Sequence, residues 1–218
     1  MSLDRDGAEL HSAVLDGVQH QALSDLLELS TETGIRIFGH RRLSDWLVHG
    51  PVGHLVRNVL GAGTRPVRAI LFDKSTDSNW ALGWHQDRVI AVRERVELEG
   101  FDHWTVKAGV AHVEPPFEII EAMVTARLHL DPVRELNAPL LIVPGSHLLG
   151  RIDEAAIEAA VDELGTAACL AETGDAWLYR TAILHASERS VSTGRRRVLH
   201  VDFAAQDLPP DIEWLGLA

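Results

Sequence analysis

Short β-rich segments fill the chain from about residue 67 onward, and this pattern constrains the fold more than any other feature. Runs rich in β-branched and aromatic residues alternate with clusters of Gly, Pro, Asn and Asp, as in strands joined by turns. The predicted strands are 67–72, 88–92, 122–130, 139–143, 176–184 and 196–203. Several short strands separated by turns favour a β-barrel or a double-sheet jelly roll, whose open end often holds a small-molecule site.

Helical patterns flank and interrupt these strands. Residues 7–30 carry leucine and valine near helical spacing, and a second helix is predicted over 43–60. A third helix is predicted over 153–164, with Asp153 as its N-cap and Gly165 at its end. The chain is therefore expected to be mainly β with flanking helices.

The length of 218 residues fits one domain with a substantial core. We expect a single domain over 1–218, in which a mostly helical part, 1–66, precedes a jelly-roll core, 67–205. The N-terminal helices would then buttress one sheet from outside.

The amino-acid composition limits the kinds of molecule that the protein is expected to bind. A net charge of −12, with only two lysines among the twenty basic residues, argues against binding to nucleic acid or to an anionic membrane surface. No apolar run approaches the roughly 18 residues of a membrane span, and the acidic N-terminus lacks the order of a signal peptide. The single cysteine, Cys169, cannot form an intramolecular disulfide. A cytoplasmic protein with a small-molecule partner is expected.

The pattern His-x-Asp occurs three times, and it is the first candidate for metal chemistry. Residues i and i+2 of a strand project from the same face, so this spacing aims an imidazole and a carboxylate at one point. They would supply two thirds of a facial metal triad. A His-x-Asp pair alone is more often a hydrogen-bonded or solvated polar pair. The three pairs are His85 with Asp87, His129 with Asp131, and His200 with Asp202.

Two of the pairs have a less favourable set of later histidines. His200 is the last histidine of the chain, so no partner follows it. His129 is followed by His147 and His185, but His147 lies in a Pro-Gly-Ser-His turn and is a poor strand candidate.

The remaining pair has the constellation that a metal centre needs. His185 follows His85 by one hundred residues, next to the strand-like run 177–184, and Arg196 follows His185 by eleven. The sequence therefore favours His85, Asp87 and His185 as ligands.

Strand parity indicates a carboxylate-binding group beside this triad. Positions 196, 198, 200 and 202 share one face of their strand, while 199, 201 and 203 share the other. Ser187 shares the face of His185, so its hydroxyl and the Arg196 guanidinium are predicted to hold one carboxylate. The alternative is that Arg195, Arg196 and Arg197 form a solvated basic cluster.

These residues resemble the phytanoyl-CoA dioxygenase-like branch of the 2-oxoglutarate- and iron(II)-dependent oxygenases, over about residues 68–205. The matching segments are Leu71-Phe72-Asp73-Lys74, Asn79-Trp80, Trp84-His85-Gln86-Asp87, the strand 127–131, Pro144-Gly145-Ser146-His147, and His185-Ala186-Ser187 followed by Arg196.

The resemblance implies a double-stranded β-helix, a cupin-like jelly roll. It implies Fe(II) at His85, Asp87 and His185, and 2-oxoglutarate held by Arg196. The implied reaction consumes O2 and hydroxylates or otherwise oxidises a small metabolite, releasing succinate and CO2.

Two positions depart from the family pattern. Arg127 stands where many members carry an aromatic residue, and three roles stay open for it: contact with 2-oxoglutarate, contact with a substrate carboxylate, or pairing with Asp131. The usual Asn-Gly before the Pro-Gly-Ser-His turn is Asn137-Ala138.

Other functions and roles also stay open. A non-catalytic jelly roll that binds a metal or small molecule, and a zinc hydrolase, use similar ligands. Trp80, Trp84 and Trp104 are expected to be core residues more than pocket residues. Lys74 is expected to be solvated, and Gly145 and His147 to serve as turn and packing residues.

Overall fold

The computed structural model describes residues 1–27, 34–75, 79–191 and 194–218. Its strands are β1 (Ala8–His11), β2 (Ile35–Ile37), β3 (Arg65–Lys74), β4 (Leu82–His85), β5 (Ile90–Val92), β6 (Asp102–Lys107), β7 (Val110–Glu114), β8 (Val124–His129), β9 (Leu140–Ile142), β10 (Ala167–Cys169), β11 (Ala176–Arg180), β12 (His185–Ser187) and β13 (Arg196–Ala204). Its α-helices are α1 (Leu3–Asp6), α2 (Gly17–Leu27), α3 (Arg41–His49), α4 (Pro51–Leu60), α5 (Phe117–Glu121) and α6 (Ile157–Leu164). Short 3-10 helices lie at Glu135–Asn137, Ser146–Leu149 and Glu154–Ala156.

Two antiparallel sheets form the jelly roll. The major sheet has the order β1-β11-β8-β13-β3-β2, and the minor sheet has the order β10-β9-β12-β4. Apolar side chains from both sheets, including Ile142 of β9 and Tyr179 of β11, pack in one cluster between them. A small third sheet, β5-β7-β6, lies beside them. The predicted mainly β, double-stranded β-helix fold is confirmed.

The central strand β13 shows why the major sheet has two different faces. Leu199, Val201 and Phe203 pack outward against leucines and valines of α2, α3 and α4 in the largest apolar cluster. Arg196, Val198, His200 and Asp202 alternate with them and face the interior between the sheets. The predicted buttressing of one sheet by N-terminal helices is therefore confirmed.

The predicted helix over 7–30 is wrong at its start. Ala8–His11 form β1, which pairs with β11 at the edge of the major sheet, and the helix begins only at Gly17. Residues 28–30 lie outside the described part of the chain. The predicted helix 43–60 is two helices, because Gly50 is extended and Pro51 starts α4 as its first residue.

The predicted strand 176–184 is also wrong at its end. β11 stops at Arg180, the chain turns, and His185 begins β12 in the other sheet. The runs 88–92 and 122–130 contain shorter strands, Ile90–Val92 and Val124–His129. The strands that were not predicted are β1, β2, β4, β6, β7, β10 and β12.

The predicted helix 153–164 divides into the 3-10 turn Glu154–Ala156 and α6, and it ends at Gly165 as expected. Asp153 makes no side-chain capping bond. No helix in the described part of the chain is long and apolar enough to cross a membrane. The single-domain organisation and the compartment stay predictions.

Candidate active site

The structure brings the three predicted metal ligands together at one edge of the minor sheet. His85 ends β4 and His185 begins β12, and the two residues are direct partners on neighbouring strands. Their ring centroids lie 4.3 Å apart. Asp87 follows β4 by two residues, and one ligand atom from each of the three side chains lies within 4.8 Å of the others. This arrangement forms one face of a metal site.

The hydrogen bonds and protonation of these side chains suit a divalent metal. The Nδ1 atoms of His85 and His185 lie 2.7 and 3.0 Å from the carbonyl oxygens of Gly83 and Ile183, which leaves both Nε2 atoms free. Burial and the neighbouring His85 lower the pKa of His185 to about 4, so its imidazole is neutral at pH 7. Two imidazoles and a carboxylate are the donor set of non-haem iron(II) sites.

Asp87 reaches this site from a loop and not from the strand that the His-x-Asp spacing suggested. β4 ends at His85, and the buried Gln86 fixes the backbone between the two ligands. Its amide nitrogen donates to the carbonyls of Ala182 (2.7 Å) and Gly150 (2.9 Å), and its amide oxygen accepts from the Ile152 amide. Sequence reasoning assigned no role to Gln86, because its partners are distant in the chain.

Arg68 is a second residue that the sequence analysis missed. It lies opposite Asp202 on the neighbouring strand and forms ion pairs with Asp202 and, at 3.0 Å, with Asp87. Burial opposes ionisation of Asp87, but Arg68 and the nearby histidines hold the pKa of this carboxyl below its usual range. Asp87 is therefore a carboxylate. The signal in the sequence was the polar alternation of β3, in which Arg68 and Lys74 share a face.

Asp87 also belongs to a second potential metal cluster, with His200 and Asp202. Arg68 already forms an ion pair with each carboxylate of this cluster. The His200 Nε2 atom lies 3.0 Å from Asp202 but 4.0 Å from Asp87. The positive charge of Arg68 would repel a metal ion placed between these two aspartates. His85, Asp87 and His185 are therefore the better candidate for a metal site.

Replacement of Arg68 by methionine tests this ion-pair network. The change leaves two buried carboxylates without their cation, so we expect the metal-free protein to lose about 3 to 5 kcal/mol of unfolding free energy. Bound metal should reduce the loss, because it compensates Asp87. Urea unfolding with and without metal measures both values.

Arg65→Met is the matched control, since Arg65 pairs with the exposed Asp207 at the surface. It should cost no more than about 1 kcal/mol. Equal losses of unfolding free energy in the two variants would show that the buried Arg68 ion pairs stabilise the protein no more than a surface ion pair does.

The metal ligands open into a cavity of about 830 Å³ between the two sheets. The sole acidic side chain among its described lining residues is Asp87. Six cations line it: Arg36, Arg68, Lys74, Lys107, Arg127 and Arg196. The cavity is therefore strongly positive inside a protein of net charge −12.

Arg196 and Lys74 face each other across β13 and β3 at one end of this cavity. Arg196 is 2% exposed, donates to the Ala138 carbonyl, and has a buried Nε without a partner. Burial and Arg127 lower the pKa of Arg196 to about 9, so it remains charged at pH 7. Neither cation forms an ion pair with an acidic side chain in the described part of the chain. A buried pair of cations of this kind suits an anionic ligand.

Lys74 is buried, which corrects the expectation that it is solvated. It is 1% exposed and donates to the carbonyls of Trp80 (2.8 Å) and Glu188 (2.7 Å) and to the hydroxyl oxygen of Ser187 (3.0 Å). Burial and the charges of Arg196 and Arg127 lower the pKa of Lys74 to about 7. Ser187 accepts from Lys74, and its own hydroxyl donates only at 3.5 Å, to the Glu188 carbonyl, so a bound carboxylate could replace that long contact.

Arg127 is buried and does not pair with Asp131. Asp131 instead binds Arg197 at 2.8 Å, while the Arg127 guanidinium lies 5.4 Å from the ring centre of Phe72. The Nε atom of Arg127 is buried without a hydrogen-bond partner. Pairing with Asp131 is therefore excluded as its role, and contact with a bound anion remains.

His129 shares the inner face with Arg127 but lies away from the metal ligands. It is 3% exposed, and neither ring nitrogen has a hydrogen-bond partner. Burial and the charges of Arg127 and Arg196 lower the pKa of His129 to about 3, which keeps it neutral.

Of the three consecutive arginines, only Arg196 faces the cavity. Arg195 binds Asp73 at 2.5 Å and Arg197 binds Asp131, both on the opposite side of the strand. The predicted face of Arg196 agrees with the structure, and the alternative of a solvated basic cluster fails for this residue.

The remaining candidates have mostly structural positions. Trp80 lines the cavity, whereas Trp84 and Trp104 pack at the margins of two apolar clusters. His147 lies in the 3-10 turn Ser146–Leu149, and its Nε2 atom is 3.2 Å from the Asp4 carbonyl. Gly145 has a left-handed φ of 83° at the start of this turn, as its predicted turn role requires.

Comparison with protein-family models finds a match to the phytanoyl-CoA dioxygenase (PhyH) family over residues 12–198. The chain belongs to this family. Comparison with curated protein sequences finds no match. The resemblance recognised in the sequence is therefore confirmed, and the match extends beyond the jelly-roll core into the helical N-terminal part.

Solved structures similar to this PhyH-family chain show the same fold at low sequence identity. The α-ketoglutarate-dependent epimerase SnoN of nogalamycin biosynthesis is 16% identical with a TM-score of 0.68, covering 93% of this chain and 77% of that one. EctD from S. alaskensis, solved with 2-oxoglutarate and 5-hydroxyectoine, is 16% identical with a TM-score of 0.68, covering 93% and 73%. HygX from Streptomyces hygroscopicus, solved with nickel and 2-oxoglutarate, is 17% identical with a TM-score of 0.61, covering 93% and 83%.

Proposed function

We propose that this PhyH-family protein is an Fe(II)- and 2-oxoglutarate-dependent oxygenase that oxidises a small molecule and releases succinate and CO2, with hydroxylation as the expected outcome. One observation carries the proposal: a His-Asp-His set and the buried cations Arg196 and Lys74 line the same cavity. The ligands that EctD and HygX hold support it. We expect the reaction to take place in the cytoplasm.

His85, Asp87 and His185 would hold the iron through two Nε2 atoms and a carboxylate. Bound Fe(II) supplies the chemistry that couples O2 and 2-oxoglutarate to oxidation of a substrate. The protein fixes the ligand geometry through the backbone contacts of both imidazoles and through Gln86. Arg68 keeps Asp87 ionised and ready to bind the metal.

Arg196 and Ser187 would bind the distal carboxylate of 2-oxoglutarate. The Arg196 guanidinium is buried, so its hydrogen bonds to a carboxylate compete with little water. Lys74 holds the Ser187 hydroxyl oxygen and adds a second positive charge beside it. Arg127, with its unpartnered Nε on the same face, is proposed as a further contact to this co-substrate.

Two measurements separate this function from the alternatives. Anaerobic protein loaded with Fe(II) should develop a metal-to-ligand charge-transfer band on addition of 2-oxoglutarate, and air should then yield succinate. A non-catalytic jelly roll would bind without forming succinate. A zinc hydrolase would act with zinc and need no 2-oxoglutarate. Succinate release across a panel of small metabolites would then identify the substrate.

The affinity for 2-oxoglutarate should decrease as the pH rises above 7. Only protonated Lys74 attracts the carboxylate, and with a pKa of about 7 this lysine must take up a proton before it binds at higher pH. The dissociation constant should therefore rise by up to about tenfold between pH 7 and pH 8, below the pKa of about 9 of Arg196. Anaerobic titrations of the charge-transfer band at several pH values measure it.

Lys74→Met should bind 2-oxoglutarate more weakly at pH 7 and lose this pH dependence. Lys107→Met, which changes the other lysine of the chain, should keep the slope because Lys107 is exposed and lies on β6. A slope that survives in Lys74→Met would assign the titration to another group.

A further inference from the structure

Sheet register places the cations of the cavity in two separate regions. Arg196 and Lys74 lie opposite each other on β13 and β3. Arg36 lies on the edge strand β2 opposite Ile70, which is four residues before Lys74 on β3. Four residues of strand span about 13 Å. Arg36 is therefore remote from the proposed site for the distal carboxylate of 2-oxoglutarate.

Arg36 has no compensating charge in the described part of the chain. It lines the cavity, is half-buried, and its Nε atom is buried without a hydrogen-bond partner. Burial and the neighbouring Arg68 lower the pKa of Arg36, so its surroundings oppose its charge. Arg68 itself is already paired with Asp87 and Asp202. An uncompensated, partly buried guanidinium is a costly arrangement that an anion would relieve.

Lys107 contributes a second free cation to this region. It extends from β6 of the third sheet, lines the same cavity, and forms no ion pair with the described residues. The buried His112 lies near both side chains: after burial, the charges of Arg68, Lys107 and Arg36 all lower its pKa. Arg36 and Lys107 therefore line the same cavity, and the charges of both act on His112.

The proposed oxygenase machinery leaves Arg36 and Lys107 unused. Arg68 pairs with Asp87, and Arg196, Lys74 and Arg127 are proposed to bind 2-oxoglutarate. Arg36 and Lys107 are the two remaining cations. They make this part of the cavity positive, whereas the whole protein is negative, with 32 acidic and 20 basic residues. A positive cleft in an acidic protein concentrates small anions at that cleft. At about 830 Å³, the cavity has the size of a small-molecule pocket.

We infer that the primary substrate is a small metabolite with an anionic group, a carboxylate or a phosphate monoester, which Arg36 and Lys107 bind. This inference rests on the proposed function and adds the substrate class to it. Arg36 is then a specificity-determining residue, because the bound anion would orient the rest of the substrate across the cavity toward His85 and Asp87, which line it too.

Binding of simple probes to protein loaded with Fe(II) and 2-oxoglutarate, without oxygen, tests the inference. The probes are inorganic phosphate, acetate and neutral acetamide, each titrated by calorimetry. We expect phosphate or acetate to bind and acetamide not to bind. Whichever anion binds identifies phosphate or carboxylate as the recognised group.

Arg36→Gln should weaken binding of that anion about tenfold or more, since it removes a charge-assisted hydrogen bond. Lys107→Gln should weaken it less, because Lys107 is exposed. Arg36→Lys should retain most of the affinity, which separates lost charge from damage to the fold. Arg41→Gln, which changes an exposed arginine of α3, should have no effect.

Failure of both anions to bind, equal binding of acetamide, or unchanged anion binding by Arg36→Gln would overturn the inference. The charge-transfer band reports separately on the co-substrate and should be the same in Arg36→Gln and the unmodified protein. Absence of that band in the unmodified protein would instead refute the proposed function.

Discussion

Replacement of His185 by alanine is expected to abolish succinate formation and to weaken Fe(II) binding by about 100-fold or more. Loss of an outer partner of a metal ligand alone typically costs 10- to 100-fold in affinity, and here the ligand itself is removed. Its Nδ1 bond to Ile183 would also disappear, but that contact is local to β12. Anaerobic Fe(II) titration and succinate assays measure the two effects. His85→Ala and Asp87→Ala should behave in the same way.

His200→Ala and His129→Ala are the matched controls. His200 belongs to the second cluster, with Asp87 and Asp202, whereas His129 belongs to neither cluster. Both variants should keep Fe(II) binding largely intact. If His200→Ala loses the metal while His185→Ala keeps it, the ion lies in the second cluster and the ligand assignment is wrong.

The sequence predicted the parts of the site that depend on alternation along one strand. The face shared by Arg196 and His200 follows from the two-residue period of β13, which holds because Leu199 and Val201 must face the helices. The face on which a side chain lies within one strand depends only on its neighbours in the sequence, so it can be predicted from a single sequence.

The sequence did not reveal the residues whose roles depend on pairing between distant strands. Arg68 matters because register places Asp202 opposite it, and Lys74 can be buried because it donates to Ser187 and to the Glu188 carbonyl, which are distant in the chain. Arg36 enters the cavity through the three-residue strand β2, which carries too little pattern to predict. An isolated lysine or arginine is usually solvated, and only the tertiary structure shows which ones are not.

The errors in secondary structure have similar causes. Leu10 has a helical spacing to Val14, but Ala8–His11 pairs with β11, so a tertiary contact overrode the longer pattern. The apolar run 176–184 looks continuous, although the chain changes sheets after Arg180. That turn brings His185 opposite His85. The end of β11, which was predicted wrongly, therefore determines where one of the proposed metal ligands lies.

Replacement of Arg196 by methionine is expected to raise the dissociation constant of 2-oxoglutarate by roughly 30-fold to several-thousand-fold. Removal of one partner of a buried charged pair typically costs about 2 to 5 kcal/mol of binding free energy. Arg196 is 2% exposed, so water cannot replace its hydrogen bonds to the carboxylate. Methionine fills similar space without charge. Anaerobic titration of the charge-transfer band measures the constant without knowledge of the primary substrate.

Arg195→Met and Arg197→Met are controls on the same strand. Their guanidinium groups bind Asp73 and Asp131 on the other side of the strand, so each variant should change the 2-oxoglutarate affinity little. Arg195→Met should instead lower stability, because Asp73 is buried and loses its cation. Fe(II) affinity should stay unchanged in all three variants. If Arg195→Met or Arg197→Met lowers the 2-oxoglutarate affinity and Arg196→Met does not, the co-substrate binds elsewhere. Insensitivity at all three would remove the support that Arg196 gives to the proposed use of 2-oxoglutarate.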